Sequence, residues 1–387
     1  MSEKADLQAF LQFYKKSTSR LQKSAKSFNR TLKKDPNPIV RTFKEDLADL
    51  NEGGKMLRGV LVGLGYRLAG GAVEDENENP SDPLALAFEI FQTGILIHDD
   101  IIDNASTRRG KFTVHERYKK RLDARKTRML AEVDGPSDVA RAAAICVGDL
   151  GIYHANLMLA QSYSSRACLG DLISYFDETV IRTIRGELLD VALPYELQDE
   201  SYDEEERKKL LEKSIREIYH LKTSCYSIIG PLHLGMMLAG AGEEELRAMD
   251  RFADEIGIAY QIMDDILGIY ADAGYLGKDV GSDIMEFKQT ILWMYVRTND
   301  PEATEELLKH YGKKRITEKD LEAVRGIFRD SGALDYAESV DGGMLPAGHA
   351  KAFPHEIPDT GKPLDPEGLR IVVRRKKPLK LFRLHCR

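Results

Sequence analysis

From about Thr42 to about Ala337 apolar residues recur three and four apart, broken by short polar stretches (AGGAVEDENENPSDP, AEVDGPSD, YELQDESYDEEER and GAGEEE). The pattern predicts long helices over 84–103, 139–164, 169–193, 204–240 and 243–271, with no convincing run of strands between them. The most economical architecture is therefore all-α, a bundle of long helices with ligand sites between facing helices. There is no internal repeat. Residues 15–34 carry eight Lys or Arg and no acid, with Leu21, Ala25, Phe28 and Leu32 on one face. That is the pattern of a solvated basic helix, with peripheral contact to an anionic membrane or binding to a partner as the competing uses. From about Val340 the texture changes: five prolines and five glycines fall in thirty residues, followed by a basic end. Three segments result: a basic helical 1–40, a main domain 41–338 and an irregular 339–387.

Composition narrows the classes. The 387 residues hold 56 Lys plus Arg against 63 Asp plus Glu, a formal charge of −7. A general nucleic-acid binder is excluded, and any anionic ligand must be captured locally. The four cysteines (Cys146, Cys168, Cys225, Cys386) form no CxxC pair, and the first residues lack a signal-peptide pattern. A reducing, cytoplasmic compartment is expected. Apolar stretches such as SIIGPLHLGMMLAGAG are short for a bilayer span, so no transmembrane segment is expected.

The chemistry lies in two acidic clusters. LALAFEIFQTGILIHDDIIDNASTRRGK places Asp99, Asp100 and Asp103 at the end of an apolar helix, with Asp99 and Asp103 on one face. IGIAYQIMDDILGIYADAGYLGK repeats the arrangement with Asp264 and Asp265. Like charges so crowded call for a cation. Mg²⁺ takes hard oxygen ligands and leaves positions open for phosphates, so two such clusters facing a cavity suit a diphosphate. Cations accompany them: Lys55 and Arg58 in GGKMLRG, Arg108 and Arg109 after the first cluster, Lys222 and Thr223 in YHLKTS, and Lys278 in LGKDVGSD.

These motifs, with RGELLD and LGKDVGSDIMEFKQT, stand in the order found in the all-trans polyprenyl diphosphate synthases, which the sequence resembles over about residues 40–337. The resemblance implies an all-α fold around a central cavity, a homodimer, and Mg²⁺-dependent condensation of isopentenyl diphosphate with an allylic diphosphate. It implies that Asp99 and Asp103, with Asp100 in support, bind metal from one side and Asp264 with Asp265 from the other. By the same resemblance Lys55, Arg58 and Arg109 hold isopentenyl diphosphate, while Arg108, Lys222, Thr223, Gln261 and Lys278 surround the allylic diphosphate. Gln92 stands where many members have a histidine on isopentenyl diphosphate, and an amide also donates to phosphate. Four further positions depart from the pattern: Met56 is commonly basic, Glu187 commonly glutamine, Gly268 commonly aspartate and Phe287 commonly glycine.

Two competing readings share this fold: a catalytically silent regulatory subunit, and a terpene cyclase. The first predicts damaged aspartate clusters; the second leaves Lys55, Arg58 and Arg109 without a purpose. His98, one position from Asp99, points about 100° away from it and is expected to make a structural hydrogen bond. Asp190 either holds Lys222 or satisfies a neighbouring helix. Members that stop early resemble one another in having an aromatic residue at the position of Gly94. Gly94 here is therefore expected to leave room for the growing chain, with Phe91 a floor at about twenty carbons, one turn further down the helix. Close helix packing is the alternative use of Gly94.

Overall fold

The computed structural model describes residues 3–52, 54–73, 75, 78–124, 135–271 and 281–341. The chain divides into two compact units, Met1–Tyr175 with Pro231–Ala241, and Phe176–Gly230 with Gly242–Arg387. In chain order the helices are α1 (Glu3–Leu32), α2 (Pro38–Asn51), α3 (Leu57–Leu68), α4 (Asp82–Ile102), α5 (Val114–Asp123), α6 (Pro136–Ser162), α7 (Leu169–Glu196) and α8 (Glu204–Ile218). A π-helical segment, Tyr219–Ile229, leads into α9 (Gly230–Leu238), followed by α10 (Glu243–Tyr270). The rest are α11 (Ser282–Met285), α12 (Ile291–Asn299), α13 (Pro301–Leu308), α14 (Glu318–Asp330) and α15 (Ala333–Asp341). Two-residue strands β1 (Thr107–Arg108) and β2 (Lys111–Phe112) pair antiparallel after α4. The fold is all-α, as the periodicity predicts.

Local chemistry fixes the helix starts. Asn37 accepts from the N–H groups of Ile39 and Val40 ahead of Pro38, and Asp203 and Glu206 form a reciprocal capping box at α8. In the first unit the apolar face of α1 turns inward: Leu21, Ala25 and Leu32 are buried. The surface a membrane-bound helix needs is thus already covered by protein. Helix α4 is the buried axis of this unit, with Leu84, Ala87, Phe88, Ile90 and Phe91 inaccessible, and it packs along α6. Their approach depends on glycine. A Cβ on Gly94 would lie 2.7 Å from the Gly148 carbonyl oxygen, and one on Gly151 would lie 2.8 Å from the Gly94 Cα.

This corrects the expectation that Gly94 leaves room for the growing chain. The space over Gly94 is filled by the backbone of α6, so this glycine serves helix packing. Phe91 is wholly buried, edge-on to Phe88 with ring centroids 5.7 Å apart. Helix α6 is long and apolar enough by length and composition to cross a bilayer. Its glycine face, however, is held against α4.

The second unit packs around Trp293, Ile262, Leu292, Val296 and Phe328. The stretch 204–240, expected as one helix, is three consecutive helical segments with the π turn in the middle. Two glycines admit that wider segment: a Cβ on Gly186 of α7 would meet the Lys222 nitrogen at 2.7 Å, and one on Gly257 of α10 the Ser224 Cα at 2.4 Å.

Candidate active site

In the first unit the two ends of the α4 apolar run hold different charge clusters. Asp103 caps the helix, its N–H donating to the Asp99 carbonyl at 2.8 Å. The chain then turns back through the β1–β2 hairpin, whose corner residues Arg109 and Gly110 have φ of 54° and 71°. Positive φ at both corners is the type I′ geometry, which suits glycine and strains arginine. The hairpin carries Arg108 onto the aspartates: Nη2 donates to Asp99 at 2.7 Å and Nε donates to Asp100. Asp99 and Asp103 are half-buried. Asp100 is buried, its Oδ2 has no hydrogen-bond partner, and its pKa is pushed up to about 7. Burial is the main cause, and the charges of Asp99 and Asp103 add to it against the pull of Arg108.

A residue without a predicted role organises the cations further back on α4. Glu89 is buried and accepts from the Gly59 N–H at 2.8 Å; burial raises its pKa while Arg58 and Arg109 pull it back. A Cβ on Gly54 would lie 3.7 Å from both Arg109 Nη1 and Glu89 Oε2, so Gly54, next to Lys55, passes this same cluster. Lys55 is exposed, two residues ahead of α3, and Met56 is buried, which accounts for an apolar residue at a commonly basic position. Gln92, one turn after Glu89, is half-buried. The only sequence signal for Glu89 was a lone acid inside LALAFEIF.

In the second unit α7 and α10 flank the π segment. Lys222 Nζ lies 2.7 Å from both Glu187 Oε2 and Asp190 Oδ2, so Asp190 holds the lysine and the departure at Glu187 adds a second carboxylate to it. Thr223 donates to Gln261 Oε1 at 2.5 Å, and Gln261 Nε2 donates to Asp265 Oδ1 at 2.8 Å. The other Asp265 oxygen accepts from the Tyr219 hydroxyl, which itself accepts from the Ile291 N–H at 2.8 Å. Asp265 is buried with both oxygens engaged, and its pKa is pushed up to about 7, by burial first and by Asp283 next. Asp264 is half-buried. Gly268 lacks the carboxylate usual there, but Asp283 Oδ2 would lie 2.7 Å from a Cβ at that position. Lys278 lies outside the described residues.

The predicted metal ligands therefore separate. Asp99, Asp103 and Asp264 remain accessible, whereas Asp100 and Asp265 are turned into the protein beside Arg108, Gln261 and Tyr219. Among the described residues no three Asp, Glu, His or Cys side chains converge as a ready-made metal site. The donor set nonetheless fits Mg²⁺: hard carboxylate oxygens, crowded enough to raise buried pKa values, and too few to dispense with water and phosphate ligands. His98 is structural, its Nε2 lying 3.0 Å from the Ile145 carbonyl oxygen and 3.4 Å from Asp149.

Comparison with known proteins identifies the family. The geranylfarnesyl diphosphate synthase of Aeropyrum pernix is 33% identical over 293 residues, covering 75% of this chain and 80% of its own. The geranylgeranyl diphosphate synthase of Sulfolobus acidocaldarius is 30% identical, covering 77% and 80%. Among solved structures, geranylgeranyl pyrophosphate synthase from Corynebacterium glutamicum, complexed with isoprenyl diphosphate and magnesium, superposes with a TM-score of 0.73 at 27% identity, over 94% of this chain and 99% of that one. The Polyprenyl synthetase family matches residues 41–328, and the chain belongs to that family.

Proposed function

We propose that this chain is a short-chain trans-prenyltransferase that condenses isopentenyl diphosphate with an allylic diphosphate, head to tail. The observation that carries this reading is the Glu89 cluster. A buried carboxylate with Arg58 and Arg109 around it, beside Lys55, is a second anion site that a cyclase with one diphosphate substrate has no use for. Intact accessible aspartates in both units argue in the same way against a silent subunit.

Asp99 and Asp103 in the first unit, and Asp264 in the second, are each carboxylates that would bind Mg²⁺, whose contribution when bound is to neutralise the charge of the leaving pyrophosphate. Arg108, fixed by Asp99 and Asp100, keeps further N–H groups for an allylic phosphate oxygen. Lys222, fixed by Glu187 and Asp190, presents a second positive charge, so neither cation must reorganise as the allylic C–O bond ionises. Lys55, Arg58 and Arg109 orient isopentenyl diphosphate so that its double bond meets the allylic cation, a positioning effect. No side chain stands out as base; the departing pyrophosphate takes the proton. A product of about twenty carbons lies within the short-chain range of the geranylgeranyl and geranylfarnesyl diphosphate synthases that the chain is similar to.

The exposed face of α7 supports a homodimer. Ile181, Ile184, Leu188, Val191 and Tyr195 stand exposed at steps of three and four, the spacing of a helix–helix seam. The function is tested by pyrophosphate release from purified protein with Mg²⁺. Release that needs both diphosphates supports elongation, and release from the allylic diphosphate alone, with a cyclic hydrocarbon formed, contradicts it.

A further inference from the structure

Away from every residue assigned above, the second unit contains a half-open cavity of about 550 Å³, a volume suited to a small ligand. Pro194, Leu197, Phe287 and Leu308 give it apolar walls, and Arg207, Arg297, Gln289 and Trp293 give it polar ones. The two guanidinium groups share one acid: Arg207 Nη1 and Arg297 Nη2 each lie 3.6 Å from Glu204, whose side chain is 73% exposed. Arg207 Nη2 also donates to the Asp199 carbonyl at 2.9 Å. The Asp199 carboxylate also lies within electrostatic reach of Arg207.

Buried polar atoms here are left over. Trp293 and Gln289 are 1% and 4% exposed, yet among the described residues Trp293 Nε1 and Gln289 Oε1 have no hydrogen-bond partner, nor has Arg207 Nε. A buried N–H or C=O without a partner is costly and marks a missing ligand or water. Phe287, the departure from glycine, holds a φ of 59° and places its ring 5.6 Å from that of Trp293 and 5.7 Å from that of Tyr311. A left-handed phenylalanine persists only where packing compensates, and here that packing builds the aromatic wall.

We propose that this cavity binds an organic phosphate monoester with a short apolar body, at a site distinct from both diphosphate positions. The phosphate oxygens accept from the Arg207 and Arg297 guanidinium groups, and Trp293 lies in the wall beside them. Guanidinium groups match phosphate geometry, and the apolar walls take the ester's carbon chain.

Trp293 is the single tryptophan of the chain, so its fluorescence reports on this cavity. Titration of the full-length protein with hexyl phosphate should give a saturable change in emission, and hexanol should give none. Arg297→Gln and Arg207→Gln should each weaken the response by about tenfold or more, whereas Asp264→Ala should leave it within about twofold. Circular dichroism verifies folding, and Arg297→Lys, which keeps the charge, should weaken binding less than Arg297→Gln. Four results would overturn the proposal: no saturable change, hexanol matching hexyl phosphate, unchanged affinity in both folded arginine variants, or loss of the response in Asp264→Ala.

Discussion

Asp99 and Asp100 are adjacent in the chain, yet only Asp99 remains accessible while Asp100 is 1% exposed against Arg108. A raised pKa at Asp100 means that the folded, metal-free protein binds a proton between about pH 4 and pH 7 that the unfolded chain does not. This group's contribution to stability therefore falls as pH rises through that window. Asp100→Asn, which cannot ionise, should exceed wild type by on the order of 1 to 2 kcal/mol at pH 8 in chelator, with the difference vanishing near pH 4. Thermal melts at the two pH values decide it, and a gap independent of pH contradicts the assignment. For the diphosphates, Arg109→Ala and Lys55→Ala should raise the KM for isopentenyl diphosphate by about 1.5 to 3 kcal/mol equivalent, and Lys222→Ala that for the allylic substrate. Equal effects on both substrates would count against two sites. The accessible residues were legible because spacing alone puts Asp99 beside Asp103 and a glycine loop beside Lys55. Glu89, Tyr219 and Asp283 were not, since a single polar residue in an apolar helix does not reveal which neighbour it will bond.

At the scale of elements, the long helices follow their apolar periodicity: 84–103 matches α4 and 243–271 matches α10 to within two residues. The π segment was invisible because its apolar positions serve a helix of either pitch, and the deciding contacts come from Gly186 and Gly257 on other helices. The β1–β2 hairpin is too short to show any alternation. Gly94 illustrates how a residue's face, rather than its type, sets its use. Gly94→Ala should destabilise the protein by about 1 to 3 kcal/mol, because its Cβ meets a backbone carbonyl that cannot move aside. Wild-type stability in that variant, measured by denaturant titration, would contradict the α4–α6 packing. Phe91→Ala opens a core cavity beside Phe88 and should cost about 3 to 5 kcal/mol in the same titration.

For the whole molecule, the apolar seam on α7 leads to a prediction about assembly. Leu188, 64% exposed, becomes a buried contact in a dimer, so Leu188→Lys should shift sedimentation from dimer to monomer while leaving the helical content unchanged. A wild-type monomer at micromolar concentration would contradict the dimer. The family assignment rests on residues 41–328 and the functional reading on the cation sets within each unit. Both meet in one measurement: sizing the products formed by purified protein from isopentenyl diphosphate and each allylic diphosphate, with Mg²⁺ and with excess chelator. Linear prenyl diphosphates longer than the primer, formed with Mg²⁺ and lost with chelator or in Asp99→Ala, are the predicted result. No elongation of any primer, or elongation that persists in excess chelator, would contradict the account.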